Sequence, residues 1–583
     1  MRQNNLSIHS ENILPIIKKW LYSDKDIFLR ELVSNACDAL NKVRIILGEQ
    51  GDFKISILAD KAAKTIVIED TGIGMTEEEV EKYIAQIAFS GAEEFVEKYK
   101  AQTDKDPIIG HFGLGFYSSY MVAAKVDIDT LSYLPEAKPV FWSCDGSSSY
   151  TIDTGKRETR GTKITLHVDE QSLEYLEEGK LHALLDRHCS FMPFPIELNG
   201  KPMGNQDPLW LKSPSECTEE EYLAFYRKLF PRDPEPIFWI HLNVDYPFHL
   251  QGILYFPKIH RRFDANESTI KLFCNRVFVS DNCKDILPDY LMILRGAIDS
   301  PDIPLNVSRS YLQVDKNVRQ LSNHISKKIS DRLNQLYKTD REKYIASWPD
   351  VEMIVKLGLL QDEKFYDKVK DILIWKTSEG NWTPIEDRKK IFYTASENSP
   401  LIKLYKEVFF ATAPIDTAVI QSLESRLNIE FQRIDGALDE SLLDASREKT
   451  VLDAEGRTES SRIADFIKKA VGVDVEAKSL AADHIPGLIV LDENERRLRD
   501  YMSLTQGKQS SIIPKRTFVV NTNSKLIQAV SRLHAKDPET AASLAKSVYD
   551  LSLLAQREIE PTELEQVITR QTEVLERVAT LLS

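Results

Sequence analysis

"RELVSNACDA" (Arg30–Ala39) decides how the rest of the chain is read. As a helix it places Glu31, Asn35 and Asp38 in one row, at i, i+4 and i+7. Leu32, Ala36, Ala39, Leu40 and Val43 supply a core stripe, and the Glu31 row lies about 100° round the helix from it. Acid, amide and acid at the margin of a buried face make either a solvated edge or the wall of a site. Ten residues leave both readings open.

Outward from this helix, "DFKISILAD" and "KTIVIEDT" alternate as two strands joined by a polar turn. The second ends in "IEDTGIGM" (residues 68–75). There Asp70 closes a strand, and Gly72 and Gly74 follow at D-x-G-x-G spacing. A carboxylate held at a sheet rim can accept from an amino group, and the glycines leave room beside it. Thr76 with Glu79 fits a capping box that opens the helix "TEEEVEKYIAQIAF". "GHFGLGF" (residues 110–116) is a second glycine cluster, whose freed backbone N–H groups before a helical run suit phosphate. No Lys-Ser or Lys-Thr follows it, so it is not a P-loop. It also lacks the parallel βαβ setting of a dinucleotide fold. Strands follow at "KVDIDTLSYL", "PVFWSCDG" and "GTKITLHV", giving an α+β layer of strands covered by helices.

At 583 residues the chain exceeds one ordinary core, and about 150 residues per domain predicts three or four domains. Hydrophobic residues make up 42% and charged ones 28%, a globular composition. The net charge of 75 − 90 = −15 argues against a general nucleic-acid binder. Six scattered cysteines without a C-x-x-C pair point to a reducing compartment rather than disulfides or zinc. The N-terminus does not read as a secretory signal, and no apolar run approaches the ~20 residues of a membrane span. A cytoplasmic protein without membrane or nucleic-acid partners is the expectation.

The Pro- and Gly-rich "LNGKPMGNQDPLWLKSPSE" predicts a first boundary, and the polar "DGALDESLLDASREKTVLDAEGRTESS" a second. Domains are therefore expected at 1–204, 216–436 and 455–583. The middle part should hold strands ("FWIHLNVDYP", "HLQGILYFP", "IKLFCNRVFVS"), long helices over about 312–344, and a second α/β section. The last part should hold a strand pair, "AKSLAADH" with "GLIVLD", and then helices. The closing segment gathers Val567, Ile568, Val574, Leu575, Val578, Leu581 and Leu582 on one side. Such a helix needs a partner surface, either its own domain or a second copy.

The order of features (Glu-x3-Asn-x2-Asp helix, D-x-G-x-G strand end, Gly-rich loop, "GTKITL") resembles the Bergerat-type ATP-binding fold. Gyrase, the mismatch-repair protein MutL, histidine kinases and the 90-kDa heat-shock chaperones share it. "DIFLRELVSNACDALNKVR", "IEDTGIGMT", "IGHFGLGFYSSYMV", "RVFVSDNCKDILPDYLMILRGAIDSPDIPLNVSRSYLQ" and "SLAADHIPGLIVLDENE" narrow the resemblance to the 90-kDa heat-shock family, most like its bacterial members. It spans the chain from about Ser7 to the end. It implies an N-terminal Bergerat-type α/β sandwich that binds ATP with Mg²⁺, an α/β middle domain and an α/β C-terminal dimerisation domain. It further implies an ATPase and chaperone acting through a nucleotide-driven open and closed dimer. The partners it implies are unfolded client proteins and co-chaperones of the 70-kDa heat-shock system.

By the same resemblance, Asn35 holds the metal on the ATP phosphates and Glu31 is the general base for water. Asp70 reads adenine, with Asp38 and Thr162 as its polar support. Gly74 opens the turn, Met75 and Phe116 wall the pocket, and Gly113 and Gly115 present backbone to the phosphates. From the middle domain, Arg309 reaches the γ-phosphate, with Gln313 on the same turn. Two positions depart from the family pattern. Phe89-Ser90-Gly91 stands where many relatives have Lys-Ser-Gly, and Tyr83 where many have Asn near the ribose. A lid lysine contact is thus not expected, and docking of Phe89 takes its place. The alternatives are a gyrase- or MutL-like DNA-processing clamp and a non-hydrolysing ATP-binding scaffold.

Overall fold

Helix α1, Ile27–Leu47, is the element on which the first part of the molecule is assembled. The computed structural model describes residues 24–582 apart from 49–50, 88, 92–94, 96, 100–108, 111–112, 148, 205–206, 247, 259–268, 282–286, 304–315, 386–387, 437, 448–456, 493–494, 496–514, 557 and 560–562. Two compact units divide the chain, residues 1–332 with 347–351, and residues 333–346 with 352–583.

In the first unit α1 is followed by β1 (Ile55–Asp60), β2 (Thr65–Asp70), α2 (Glu77–Tyr83), β3 (Ala123–Leu131), β4 (Val140–Cys144), β5 (Tyr150–Thr154), β6 (Gly161–Val168), α3 (Glu178–Cys189), β7 (Ile196–Leu198) and β8 (Lys201–Pro202). The strands form one eight-stranded sheet in the order β5-β4-β3-β6-β2-β1-β7-β8, antiparallel except where β1 meets β7. Alternation turns Ile55, Ile57, Ile66, Ile68, Val126, Ile128 and Leu166 onto a common core with Phe28, Leu32, Val33 and Leu40 of α1. The predicted capping box on α2 is formed: Glu79 N–H donates to Thr76 Oγ1 (3.3 Å) and Thr76 N–H to Glu79 Oε2 (2.8 Å).

Two expectations for this layer need correction. α2 ends at Tyr83 rather than continuing to Phe89, because the Ile84 and Ala85 N–H groups both turn onto Val80 O and close the helix. The glycine cluster leads into a seven-residue 3₁₀ helix, Gly115–Met121, and then directly into β3.

A second sheet of the same unit has the order β12-β11-β13-β10-β9, from β9 (Phe238–Val244), β10 (Leu250–Phe256), β11 (Thr269–Cys274), β12 (Val277–Ser280) and β13 (Arg295–Asp299). Trp210, with Tyr222, Phe225 and Tyr226 of α4 (Glu219–Leu229), packs on it. The long helical run breaks at Asp340, which caps Arg341–Gln361 by accepting from Lys343 N–H (3.0 Å).

The second unit closes on a three-stranded sheet whose strands are Asp474–Lys478, Gly487–Leu491 and Arg516–Asn521. The expected strand over 477–484 ("AKSLAADH") lies instead at Asp474–Lys478, with residues 479–484 forming bridge and turn, and it was expected to pair with Gly487–Leu491. The two do not pair, because Arg516–Asn521 lies between them, parallel to one and antiparallel to the other. Phe518 to Asn521 are all buried, as a central strand covered on both faces requires. The terminal helix, Leu564–Leu582, divides its predicted stripe. Val567 is buried and Val574 half-buried, whereas Ile568 and Leu575 are 57% and 68% exposed. Among the described residues no helix is long and apolar enough to cross a membrane.

Candidate functional site

Glu31, Asn35 and Asp38 line one cavity of about 420 Å³, together with Asp70, Gly74, Met75, Gly113, Gly115, Phe116 and Thr162. α1 supplies the first three from one face. The C-terminal end of β2 supplies Asp70, and its register partner on β6 is Thr162. A cavity of this size suits a small-molecule ligand.

At one end Asp70 is buried, and its Oδ1 accepts from Gly72 N–H at 2.8 Å. Burial raises its pKa to about 7, against the lowering pull of the Gly72 amide and the Arg157 guanidinium. Gly74 stands at φ +65°, and a Cβ there would lie 1.8 Å from Leu131 O, so only glycine fits this turn. Thr130 ties the end together: its hydroxyl meets Thr162 Oγ1 (3.0 Å) and Gly161 O (3.1 Å) and accepts from Met75 N–H (3.1 Å).

At the other end Asp38 grips the entry to the glycine segment. Its two oxygens accept from Ile109 N–H and Gly110 N–H, each at 2.7 Å. This places Asp38 under the phosphate-side loop, rather than in the support of Asp70 alone. Gly115 lies against Glu31, where a Cβ would come within 2.7 Å of Oε2. Gly113, at φ +62°, lies against the Phe89 backbone. Glu31 is buried and ion-paired with Arg30, whose Nη2 and Nε donate to Oε1 at 2.9 and 3.1 Å. Asn35 makes no side-chain hydrogen bond among the described residues, so its amide is available to a ligand.

The opposite wall is aromatic. Tyr83 and Phe89 stack at 6.1 Å and 16°, and Lys82 sits over both rings. Cys37 is fully buried with Sγ 3.4 Å from Met192 Sδ, and burial pushes its thiol well up, which makes it a core residue. Arg309 and Gln313 lie outside the described residues.

The sequence reading did not single out Arg30, Thr130 or Lys42. Lys42 continues the α1 row one turn beyond Asp38 and was therefore legible. Thr130 follows Val126 and Ile128 on the inward face of β3, a polar residue in a core register. Arg30 carried no such signal, because neighbours at i and i+1 do not face each other on a helix.

The donor set fits an adenine nucleotide: a buried acceptor at a strand end, glycine backbone at the far end, and a free amide between. Among the described residues no cluster of three His, Cys, Asp or Glu could hold a metal by itself. A cation here would share Asn35 with phosphate oxygens and water, the usual mode of Mg²⁺. Fold and site together define an ATPase domain of the Bergerat class.

The comparisons agree. The Histidine kinase-, DNA gyrase B-, and HSP90-like ATPase family matches residues 24–186, the stretch that builds the cavity. The Hsp90 protein family matches residues 199–578. Chaperone protein htpG of Bacteroides fragilis (strain YCH46) is 40% identical, over 96% of this chain and 88% of its own length. Chaperone protein HtpG of Porphyromonas gingivalis (strain ATCC BAA-308 / W83) is 39% identical, over 91% and 84%. That of Geobacter sulfurreducens (strain ATCC 51573 / DSM 12127 / PCA) is 30% identical, over 94% of each chain. The chain belongs to the Hsp90 family and is an ATP-dependent molecular chaperone with ATPase activity.

Proposed function

We propose that the cavity on α1 is where ATP is bound and hydrolysed, with the roles divided among its residues. The observation that carries this is the convergence of Asp70 and Thr162 at one end with Glu31, Asn35 and the glycine segment at the other. Asp70, once ionised, accepts from the adenine amino group, which disfavours guanine. Thr162 and Thr130 hold that end in register. Asp38 anchors the loop whose Gly113 and Gly115 face the phosphates. Mg²⁺ bound with ATP would be held by Asn35 and would neutralise phosphate charge. Glu31 orients and deprotonates the attacking water, a role typically worth about 10²–10⁴-fold. Arg30 holds the Glu31 carboxylate in place through its two bonds to Oε1. Arg309, with Gln313 beside it, would bring a guanidinium to the γ-phosphate as charge develops.

The same reading assigns residues 1–204 to nucleotide, 216–436 to Arg309 and client contacts, and 455–583 to dimerisation. The exposed Leu551, Leu554, Leu564, Ile568 and Leu575 on the last two helices support a homodimer through that end. ATP would favour a closed dimer and hydrolysis would reset it. Cytoplasmic location and co-chaperones of the 70-kDa system complete the proposal. Its test is aggregation of a thermally denatured client, followed by light scattering. The chain should suppress scattering, and ATP should change the extent. The same scattering with and without ATP for every client tried would refute the coupling.

A further inference from the structure

The end of α3 and the residues after it, 187–192, touch α1 on one side and the second sheet on the other. On the α1 side, Met192 Sδ lies 3.4 Å from Cys37 Sγ, in the core that α1 shares with the first sheet. On the other side, Phe191 leaves that core and enters the next. It is buried against Trp210 (ring centroids 5.1 Å), Phe273 of β11 (5.3 Å) and Phe225 of α4 (5.8 Å). Val277 of β12 does the reverse and is buried in the core of the first sheet. Arg276, beside it, clamps the exchange. Its Nε donates to Phe191 O at 2.6 Å, and its Nη2 pairs with Asp207. Its backbone stands at φ +66°, a conformation uncommon for arginine, and is pinned there by an N–H bond to the buried Asp299 Oδ2 (2.9 Å). His188 and Arg187 complete the contact over the Phe278 ring, at 5.5 and 5.6 Å. Each sheet thus buries a side chain in the other's core. Close-packed interiors do not deform continuously, so the second sheet cannot shift without moving Met192 and α1 or breaking the exchange.

We infer that residues 187–192 couple the second sheet to α1, with Phe191, clamped by Arg276, as a positioning residue for hydrolysis that acts through Glu31. This rests on the reading of Glu31 as the base. The adenine end of the cavity stands on other elements: Asp70 ends β2 and Thr162 lies on β6. Phe191 therefore matters to turnover and not to adenosine binding. Misplacing a catalytic group by about 1 Å can cost about 10²-fold. Emptying the Phe191 site while the rest of the contact holds should cost less, about tenfold.

The test is steady-state ATP hydrolysis and calorimetric adenosine binding by the full chain, as wild type, Phe191→Ala, Phe191→Leu and Arg276→Gln, each alone and with Glu31→Gln. Phe191→Ala should lower kcat about tenfold, with KM for ATP and adenosine affinity within about twofold of wild type. Phe191→Leu, which refills most of the space, should recover most of that loss. Arg276→Gln should repeat the pattern from the other side of the contact, without opening a cavity. With Glu31→Gln present, none of the three should slow the residual turnover further, because a residue acting through Glu31 has nothing left to position. Unchanged kcat in Phe191→Ala and Arg276→Gln would overturn the inference, as would equal losses in kcat and adenosine affinity. Full tenfold losses on top of Glu31→Gln would overturn it too. If Phe191→Ala does not fold, Arg276→Gln decides by the same criteria. If Glu31→Gln hydrolyses ATP like wild type, the reading of the base falls, and this inference with it.

Discussion

Adenosine binding to this chain should weaken as pH falls through about 7, because Asp70 takes up a proton there. The carboxylate is buried, and burial opposes its charge more than the Gly72 amide and Arg157 favour it. The ionised form is the stronger acceptor for the adenine amino group, and in the limiting case it alone binds adenosine. The apparent dissociation constant should therefore scale as 1 + 10^(7 − pH), which is about 1.1 at pH 8 and about 11 at pH 6. That is about 1.4 kcal/mol lost, with close to one proton released per adenosine bound at pH 6. Adenosine is the right ligand because it has no phosphate to titrate. Calorimetry in buffers of different ionisation enthalpy reads both affinity and proton release. Stability moves the other way. Between about pH 4 and 7 the folded state holds a proton the unfolded state has lost, so stability falls as pH rises and levels off above 7. Asp70→Asn should remove that slope and stabilise the free protein at pH 8, by on the order of 4 kcal/mol at most. An adenosine affinity that is flat from pH 5.5 to 8, with no proton released, would refute the assignment of Asp70 as the buried adenine acceptor.

Gly74→Ala should lower the first thermal transition and abolish measurable adenosine binding. It forces a left-handed residue into the Leu131 carbonyl, at about 2–5 kcal/mol for strain and overpacking together. Scanning calorimetry with and without adenosine checks it. Ile568→Gln with Leu575→Gln should weaken self-association at least about a hundredfold, since each exposed side chain counts twice in a two-fold interface. Sedimentation velocity over a dilution series reads this directly.

Much of the site was legible because it follows a periodicity. The α1 row, the D-x-G-x-G strand end, the capping box at Thr76 and the strand patterns all obey rules of spacing. What escaped depends on reach across elements. Arg30 meets Glu31 only because a long side chain curls back inside a helix buried on most sides. Asp38 found its amides 71 and 72 residues away, which no local pattern states. "RTFVVN" displaced the expected strand pairing because a short apolar run carries no information about its neighbours. The terminal stripe was visible, but helical phase did not tell the buried Val567 from the exposed Ile568.

Hydrolysis and binding measured together on Glu31→Gln test the central claim most directly. Gln keeps an oxygen for Arg30 and so avoids stranding a buried guanidinium, a loss that costs about 3–5 kcal/mol when a buried pair is broken. What it removes is the basic carboxylate beside Gly115. ATP should bind within about threefold of wild type, while steady-state turnover should fall by about a hundredfold or more. Turnover equal to wild type, with binding intact, would contradict the claim that this cavity on α1 is where the chain hydrolyses ATP.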